Sequence, residues 1–231
     1  MLLDQTIAGR RCALWVPEGT GPFALSLCCC GSASELLPQL GALSPNRLFV
    51  SPEADWEIDF TPWPAPTLQG GRPFADGSVL GGAPAFLRWV EGELLPALAA
   101  RFALAPAQNS VLGYSLGGLF ALWAVCQSEA FSQCACLSGS LWYPGWADFL
   151  KEHAPKPPQR VYLSLGKKEE KSGPAVMRAV GDATRQSAGL LAQSLGCENT
   201  VLEWNPGGHF APALPRWEKA LAWLDFPQNN R

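Results

Sequence analysis

The fold is decided by a serine that stands between two glycines, in the stretch Val111-Leu112-Gly113-Tyr114-Ser115-Leu116-Gly117-Gly118-Leu119-Phe120. An apolar strand pattern precedes this G-x-S-x-G frame and a helix pattern follows it, which is the layout of a nucleophile elbow. The turn is so tight that a side chain at 113 or 117 would collide with neighbouring backbone, and glycine has none. Ser115 is therefore predicted to expose its hydroxyl at a helix N-terminus. Glycine-rich strand-to-helix turns also bind phosphate groups, so that alternative stays open at this point.

Strand and helix patterns alternate on both sides of this turn. The chain opens with a predicted hairpin, residues 2–7 and 11–17 around a turn at 8–10. Further strands are predicted at 23–30, 47–50, 110–114, 133–137, 160–165 and 201–204. Helices are predicted at 34–43, 83–102 with a bend at Pro96, 116–128, 183–195 and 214–224. This alternation predicts an α/β fold with a doubly wound, mostly parallel central sheet and helices on both faces.

The bulk composition describes an ordinary folded unit. The chain has 231 residues, of which 48% are hydrophobic and 16% charged. This length and composition favour a single domain over residues 1–231. A formal net charge of −3 offers no basic surface to a phosphate backbone, so a nucleic-acid partner is not expected.

Targeting signals and cysteine usage point to the cytoplasm. The N-terminus lacks a basic region followed by a long apolar run, and the longest apolar stretch, 23–30, is too short to span a bilayer. No membrane partner is expected. The eight cysteines lie mostly inside apolar strand or helix patterns, which predicts buried thiols. Their spacings do not match paired C-x-x-C zinc sites, so neither a metal nor another cofactor is expected.

The segment 51–82 stands apart, because it is rich in proline and glycine and shows no clear periodicity. It carries the aromatic residues Trp56, Phe60 and Trp63, and this content argues against disorder. Long loops in compact domains are commonly functional. We expect this loop to follow the C-terminal end of a strand and to form a pocket wall at the active edge of the sheet.

A serine hydroxyl is a weak nucleophile at neutral pH and needs a base, almost always a histidine that a third group orients. The chain has two histidines. His209 follows the predicted strand 201–204 and so lies at the C-terminal edge of the sheet, the edge that carries Ser115. His153 precedes the strand 160–165 and is expected at the opposite edge. His209 is therefore the predicted base.

The acid is expected between nucleophile and base in chain order, just after the strand 160–165. The charged run Gly166-Lys167-Lys168-Glu169-Glu170 occupies that place. We predict Glu169 as the acid, with Glu170 as the alternative and a solvated charged loop as the competing interpretation. Asp182 is a more distant candidate, better suited to capping the helix that follows.

Two backbone elements are predicted to stabilise an oxyanion. The N–H of Leu116, at the start of the helix, points toward the place where the oxyanion would form. A second N–H is expected from Gly31 or Ser32, in the loop after the strand 23–30.

Aromatic residues gather in the loops expected at the same edge. They include Trp56, Trp63, Trp142, Tyr143 and Trp146. Tyr114, Trp63 and Trp142 are the predicted substrate contacts, in a cleft that would suit aryl or extended acyl groups. The alternative is that such tryptophans only seal loops onto the core.

With these residues assembled, the chain resembles the α/β-hydrolase esterases grouped with S-formylglutathione hydrolase and the ferric enterobactin esterases. The resemblance covers most of the chain and rests on Asp59-Phe60-Thr61-Pro62-Trp63-Pro64, Gly113-Tyr114-Ser115-Leu116-Gly117-Gly118, Leu137-Ser138-Gly139-Ser140-Leu141-Trp142, the run 166–169 and Gly207-Gly208-His209. It implies the α/β-hydrolase fold and a serine carboxylesterase-type hydrolase, with Ser115 as nucleophile, Glu169 as acid and His209 as base. The family usually has His-Gly or Asp-Gly before the oxyanion loop, where this chain has Cys30-Gly31.

The leading hypothesis is hydrolysis of a small-molecule carboxylic ester through an acyl-enzyme on Ser115. Thioester hydrolysis and acyl transfer use the same groups and differ only in leaving group or acceptor. A binding module that keeps the fold without turnover belongs to a different class. The serine, the histidine and a candidate acid argue against it, because a binding module needs no such set.

Overall fold

The computed structural model describes residues 1–65, 68–69, 72–73, 80–157, 159–173 and 175–226. The strands are β1 (Leu2–Ile7), β2 (Arg10–Trp15), β3 (Ala24–Cys29), β4 (Arg47–Pro52), β5 (Leu68–Gln69), β6 (Arg72–Pro73), β7 (Ser110–Tyr114), β8 (Gln133–Leu137), β9 (Arg160–Gly166) and β10 (Thr200–Asn205). The helices are α1 (Ala33–Leu43), α2 (Ala83–Trp89), α3 (Leu95–Arg101), α4 (Leu116–Gln127), α5 (Trp146–His153), α6 (Ala175–Arg178), α7 (Val180–Leu195) and α8 (Leu214–Leu224).

One eight-stranded sheet forms the centre of the molecule, in the order β1-β2-β4-β3-β7-β8-β9-β10. The pairs β1/β2 and β2/β4 are antiparallel, with Leu2 opposite Trp15 and Leu14 opposite Val50. The other neighbouring pairs in this sheet are parallel. The predicted α/β-hydrolase fold, a mostly parallel sheet with an N-terminal hairpin, is confirmed. The short strands β5 and β6 pair separately.

Helices cover both faces of the sheet, because successive side chains of a strand point to opposite sides and both sides are apolar here. Adjacent cysteines of β3 show the alternation. Cys28 packs with the apolar residues of α1 and α8, whereas Cys29 packs with those of α2, α4 and α7. All eight cysteines are free. Among the helices that the structure describes, none is long and apolar enough to cross a membrane.

The predicted helix 83–102 is divided in three. A π-helical turn, Val90–Leu94, lies between α2 and α3, and the N–H of Leu95 bonds to the carbonyl of Val90. The turn comes just before Pro96, which has no N–H to donate and so interrupts the regular ladder. The bend predicted at Pro96 is therefore a local change of helix type.

Two other helical predictions need correction. Helix α5 lies in a stretch for which no helix was predicted. Helix α7 begins at Val180, so Asp182 lies inside its first turn instead of at the cap. There it pairs with Arg185 at 3.0 Å. The predicted capping role of Asp182 is wrong.

The long loop predicted at 51–82 is described for 51–65 and 80–82 and for the backbone of β5 and β6, and the rest lies outside the described residues. Its first part is tied to the sheet, since Arg10 of β2 donates to the Asp59 carboxylate at 2.6 Å. Trp56 and Phe60 pack edge to face, with ring centroids 5.2 Å apart. These contacts order the loop where it leaves β4.

Candidate active site

Ser115 joins β7 to α4 in a strained backbone conformation, with φ of 60° and ψ of −121°. Two glycines make this turn feasible. A Cβ at Gly113 would collide with the carbonyl oxygen of Gly117, and a Cβ at Gly117 would collide with the carbonyl oxygen of Cys29. Both obstacles are backbone atoms that no rotamer change can move, so these positions require glycine. The result is a half-buried Ser115 at the carboxyl edge of the sheet.

Ser115, His209 and Glu169 form one hydrogen-bonded chain. Nε2 of His209 lies 3.1 Å from Oγ of Ser115, and Nδ1 lies 2.8 Å from Oε2 of Glu169. The three residues follow β7, β10 and β9, and the carboxyl ends of parallel strands meet at one edge. The His209 side chain is 31% exposed and that of Glu169 only 3%. A ligand can therefore reach the serine and the imidazole while the acid stays shielded from water.

The Glu169 carboxylate is held from several sides. Its Oε1 accepts hydrogen bonds of 2.8 Å from the Ser138 hydroxyl, the Gly166 N–H and Nη1 of Arg216. Burial alone would raise the pKa of this carboxyl group, but the hydrogen bonds from His209, Ser138 and Gly166 lower it below its usual value. Glu169 is therefore ionised at neutral pH, the form needed to orient an imidazolium.

The competing candidates lie away from Ser115. Glu170 accepts a hydrogen bond of 2.8 Å from Arg185 on α7. His153 ends α5, with Nδ1 3.0 Å from the carbonyl oxygen of Phe149 and the two rings stacked. Of the two neighbouring glutamates, the structure brings only Glu169 to His209. Among the described residues, no three His, Cys, Asp or Glu side chains are grouped so that they could hold a metal ion.

A buried arginine on α8 contacts the acid and the histidine loop together. Arg216 is 1% exposed. Beyond Glu169, its Nη1 donates to the Tyr114 hydroxyl at 3.0 Å, and its Nη2 donates to the Gly208 carbonyl at 2.8 Å. The Tyr114 hydroxyl in turn donates to the carbonyl of His209 at 2.5 Å. The hydroxyl of Tyr114, a predicted substrate contact, is thus engaged in holding the histidine loop.

Sequence reasoning assigned Arg216 no role, although a signal was present. Helix α8 buries Trp217, Ala220 and Leu221 against the sheet. Arg216 lies four residues before Ala220, so a charged side chain falls on the apolar face of the helix. A charge in that position needs a buried partner, and Glu169 is that partner.

The segment after β8 contacts both Glu169 and Ser115. Ser138, with a positive φ of 46°, donates its hydroxyl to Glu169. The Ser140 N–H donates to the carbonyl of Ser115 at 3.0 Å, and the two Oγ atoms lie 3.5 Å apart. The stretch 137–142 therefore holds the turn at Ser115 and the Glu169 carboxylate in place.

The two predicted oxyanion elements are adjacent in the fold. Gly117 packs against the carbonyl of Cys29 at the end of β3, which brings the loop carrying Gly31 and Ser32 beside the start of α4. In the described part of the chain, the N–H groups of Gly31 and Ser32 donate to no other group. The N–H of Leu116 belongs to the first turn of a helix and has no intrahelical partner.

A cleft of about 710 Å³ opens beside this loop. Its described lining includes Arg11, Gly31, Ser32, Glu53, Trp56 and Phe60. Across the site, Phe210 is 97% exposed, and its ring meets the His209 imidazole edge to face at 5.2 Å. A fully exposed phenylalanine next to His209 offers apolar surface at the edge of the site.

Among the described residues, the other aromatic residues predicted at this edge do not line the cleft. Tyr143 and Trp146 are buried, at 2% and 1% exposure, so they seal the segment after β8 onto the core. Trp63 donates from Nε1 to the Pro144 carbonyl at 2.8 Å, which ties the long loop to that segment. Trp142 is half-buried. Trp63, Trp142 and Tyr114 are not among the described residues that line the cleft, and their contact with substrate stays a prediction.

Comparisons with known proteins extend this picture. A family model described as "Putative esterase" matches residues 44–222. The solved structure of an IroE-like serine hydrolase from Shewanella oneidensis superposes with a TM-score of 0.78 at 19% identity, covering 96% of this chain and 79% of that one. A siderophore hydrolase EstA from Aspergillus nidulans gives 0.73 at 18% identity, covering 96% and 93%. Enterobactin esterase FES from Shigella flexneri gives 0.67 at 21% identity, covering 97% and 57%. At these sequence identities the structural likeness shows a shared fold and nothing more specific.

Proposed function

The chain belongs to the Putative esterase family of hydrolases, and we propose that it cleaves carboxylic esters through an acyl-enzyme on Ser115. One observation carries the proposal: the His209 imidazole bonds to Ser115 through one nitrogen and to the Glu169 carboxylate through the other. Proton transfer from a serine to an imidazole needs this alignment and this distance.

In the first half-reaction, the Oγ of Ser115 attacks the acyl carbonyl carbon while Nε2 of His209 takes the hydroxyl proton. The tetrahedral intermediate collapses, the bond to the alcohol oxygen breaks, and His209 returns the proton to the departing alcohol. In the second half-reaction His209 deprotonates a water molecule, which attacks the acyl carbon. The bond from that carbon to Oγ of Ser115 then breaks, the carboxylic acid is released, and His209 returns the proton to Oγ of Ser115. Glu169 keeps Nδ1 protonated and stabilises the imidazolium in both steps.

The developing negative charge on the acyl oxygen is stabilised by backbone N–H groups. We assign one of them to Leu116 and the other to Gly31 or Ser32. Two fixed donors in a partly desolvated site stabilise an oxyanion more than water does, because they need no reorganisation during the reaction. Removing one such donor in other serine hydrolases costs about 10²- to 10³-fold in kcat.

Two apolar surfaces flank the reacting bond in this proposal. The cleft with Trp56 adjoins Gly31 and Ser32, so it receives the substituent on one side of the scissile bond. Phe210 borders His209, which delivers the proton to the departing alcohol, so it contacts the alcohol side. This arrangement favours esters with aryl or extended apolar groups.

The test is turnover of p-nitrophenyl acetate, butyrate and octanoate by the parent and by single variants. Ser115→Ala and His209→Ala are expected to lose at least about 10³-fold in kcat/KM. His153→Ala is the matched control, because it removes the other histidine of the chain, an exposed one at the end of α5, and parent-like rates are expected. Parent-like rates for Ser115→Ala would overturn the proposal.

A further inference from the structure

Arg216 takes no part in the proposed chemistry, yet its side chain donates hydrogen bonds to four residues near the site. Its guanidinium is buried at 1% exposure and donates to Glu169, Tyr114 and Gly208 at 2.8 to 3.0 Å, and also to the Ser138 hydroxyl. A fully buried arginine is uncommon unless its charge is paired. The pairing here is with the acid of the proposed triad.

We propose that Arg216 is the positioning residue of the triad, because one guanidinium fixes both the Glu169 carboxylate and the loop that carries His209. The proposal rests on the function proposed above. It makes the distance between Glu169 and His209 depend on α8, an element that contributes no reacting atom.

The Arg216 guanidinium fixes one oxygen of the Glu169 carboxylate. Nη1 of Arg216 bonds to Oε1 of Glu169, which leaves Oε2 directed at Nδ1 of His209. With the Ser138 hydroxyl and the Gly166 N–H on the same Oε1, the carboxylate cannot rotate without losing three hydrogen bonds. The acid is thereby fixed before any substrate arrives.

The same guanidinium also fixes the loop that carries His209. Nη2 of Arg216 bonds to the carbonyl of Gly208, the residue just before His209. Nη1 bonds to the Tyr114 hydroxyl, which bonds to the carbonyl of His209 itself. A planar guanidinium can hold several acceptors at fixed directions, whereas a lysine ammonium is a single flexible point charge. Arg216 therefore joins the acid and the base in one rigid unit.

The positive charge has a second consequence. Several charged or titratable groups surround the His209 loop. They are Glu169 and Lys168 after β9, Tyr114 at the end of β7, and Arg216 and Lys219 on α8. The Lys219 ammonium pairs with Glu203. Arg216 offsets part of the negative charge with which Glu169 stabilises the imidazolium. Removing the guanidinium while Glu169 remains ionised should therefore leave a more negative environment around the imidazole.

The experiment compares Arg216→Met, Arg216→Lys and Tyr114→Phe with the parent, in kcat and KM for p-nitrophenyl butyrate between pH 5 and 9. Arg47→Met is the matched control, since Arg47 is a buried arginine at the opposite edge of the sheet that pairs with Asp225. Circular dichroism and urea unfolding report whether each variant is folded.

For Arg216→Met we expect kcat to fall by up to about 100-fold with little change in KM. The acid limb of the kcat/KM profile should move to higher pH. In Arg216→Lys the acid limb of the kcat/KM profile should stay at its parent position and kcat should fall partially. Lysine retains the positive charge but lacks the planar guanidinium that donates to several acceptors at once. Tyr114→Phe should lose kcat less severely, and Arg47→Met should lose stability without a shift of the limb.

A folded Arg216→Met protein whose kcat is parent-like, or whose acid limb is unmoved or lowered, would overturn the positioning role. If Arg216→Met does not fold, parent-like kcat in both Arg216→Lys and Tyr114→Phe would overturn it equally. Ser115→Ala separates the two proposals. An inactive Ser115→Ala protein together with a parent-like Arg216→Met protein would contradict the positioning role alone. A fully active Ser115→Ala protein would contradict the function on which that role rests.

Discussion

Oε2 of Glu169 lies 2.8 Å from Nδ1 of His209, and no other carboxylate among the described residues bonds to this imidazole. The carboxylate is buried and ionised, and the imidazole is partly open to solvent. An electrostatic partner that is fixed and shielded from water stabilises a developing imidazolium more strongly than an exposed one. The proposed esterase chemistry depends on this pair.

Glu169→Gln should lower kcat by about 10²- to 10⁴-fold, because a neutral amide cannot stabilise the imidazolium and can favour the wrong tautomer. Glu170→Gln is the matched control and should stay near the parent, since Glu170 bonds to Arg185 on the surface of α7. Steady-state kinetics with p-nitrophenyl butyrate measures both. Equal losses in the two variants would contradict the assignment of the acid.

Glu169 should also make stability depend on pH. Its pKa is lower in the folded protein than in the unfolded chain, so it contributes stability that is fully present above the unfolded value of about 4.3. That contribution is lost as pH falls through the folded pKa. Urea unfolding of the parent and of Glu169→Gln at pH 7, 5, 4 and 3 should show a stability difference that shrinks below about pH 4.3. A difference that is independent of pH would contradict this linkage.

Gly117→Ala should abolish activity and destabilise the fold by about 1 to 3 kcal/mol or more, because the new Cβ would collide with the carbonyl of Cys29. Gly189→Ala, in the exposed interior of α7, meets nothing within 4 Å and should stabilise the protein by about 0.5 to 1 kcal/mol. Urea unfolding and ester turnover measure the two effects. A Gly117→Ala protein with parent stability and rate would mean that the elbow is not tightly packed against β3.

Phe210→Ala should raise KM for p-nitrophenyl octanoate by about 5- to 10-fold, because a substrate that covers this ring gains part of the 1.5 to 3 kcal/mol of burying an aromatic side chain. The kcat should change little. Phe226→Ala removes another exposed phenylalanine, just beyond α8, and should leave both constants unchanged. If the two variants behave alike, Phe210 does not contact the substrate.

Much of the fold and the central geometry could be predicted from the sequence, because both follow from local patterns. The glycines around Ser115 require a tight turn, and continuous apolar runs indicate buried parallel strands. Once the strands are placed, residues after β9 and β10 must lie at the same edge as the elbow. That rule selects His209 and the neighbouring pair Glu169 and Glu170 without any knowledge of their contacts, and the contacts then separate the two glutamates.

The remaining features depend on contacts between distant parts of the chain. Arg216 is 47 residues from Glu169, and a single arginine in an amphipathic helix is normally assigned to solvent. Helix α5 is short and follows Pro144 and Gly145, which suggested a loop, although Trp146, Phe149 and Leu150 have helical spacing. The same omission placed Trp146 in a loop at the active edge when it is buried.

Covalent labelling by a fluorophosphonate, followed by intact-mass and peptide-mass measurement, tests whether Ser115 is the nucleophile. We expect a single adduct on the peptide that contains Ser115. Labelling should persist in Ser140→Ala, whose hydroxyl lies 3.5 Å away, and should disappear in Ser115→Ala. Absence of an adduct on the folded parent, or an adduct that persists in Ser115→Ala, would show that Ser115 is not the nucleophile.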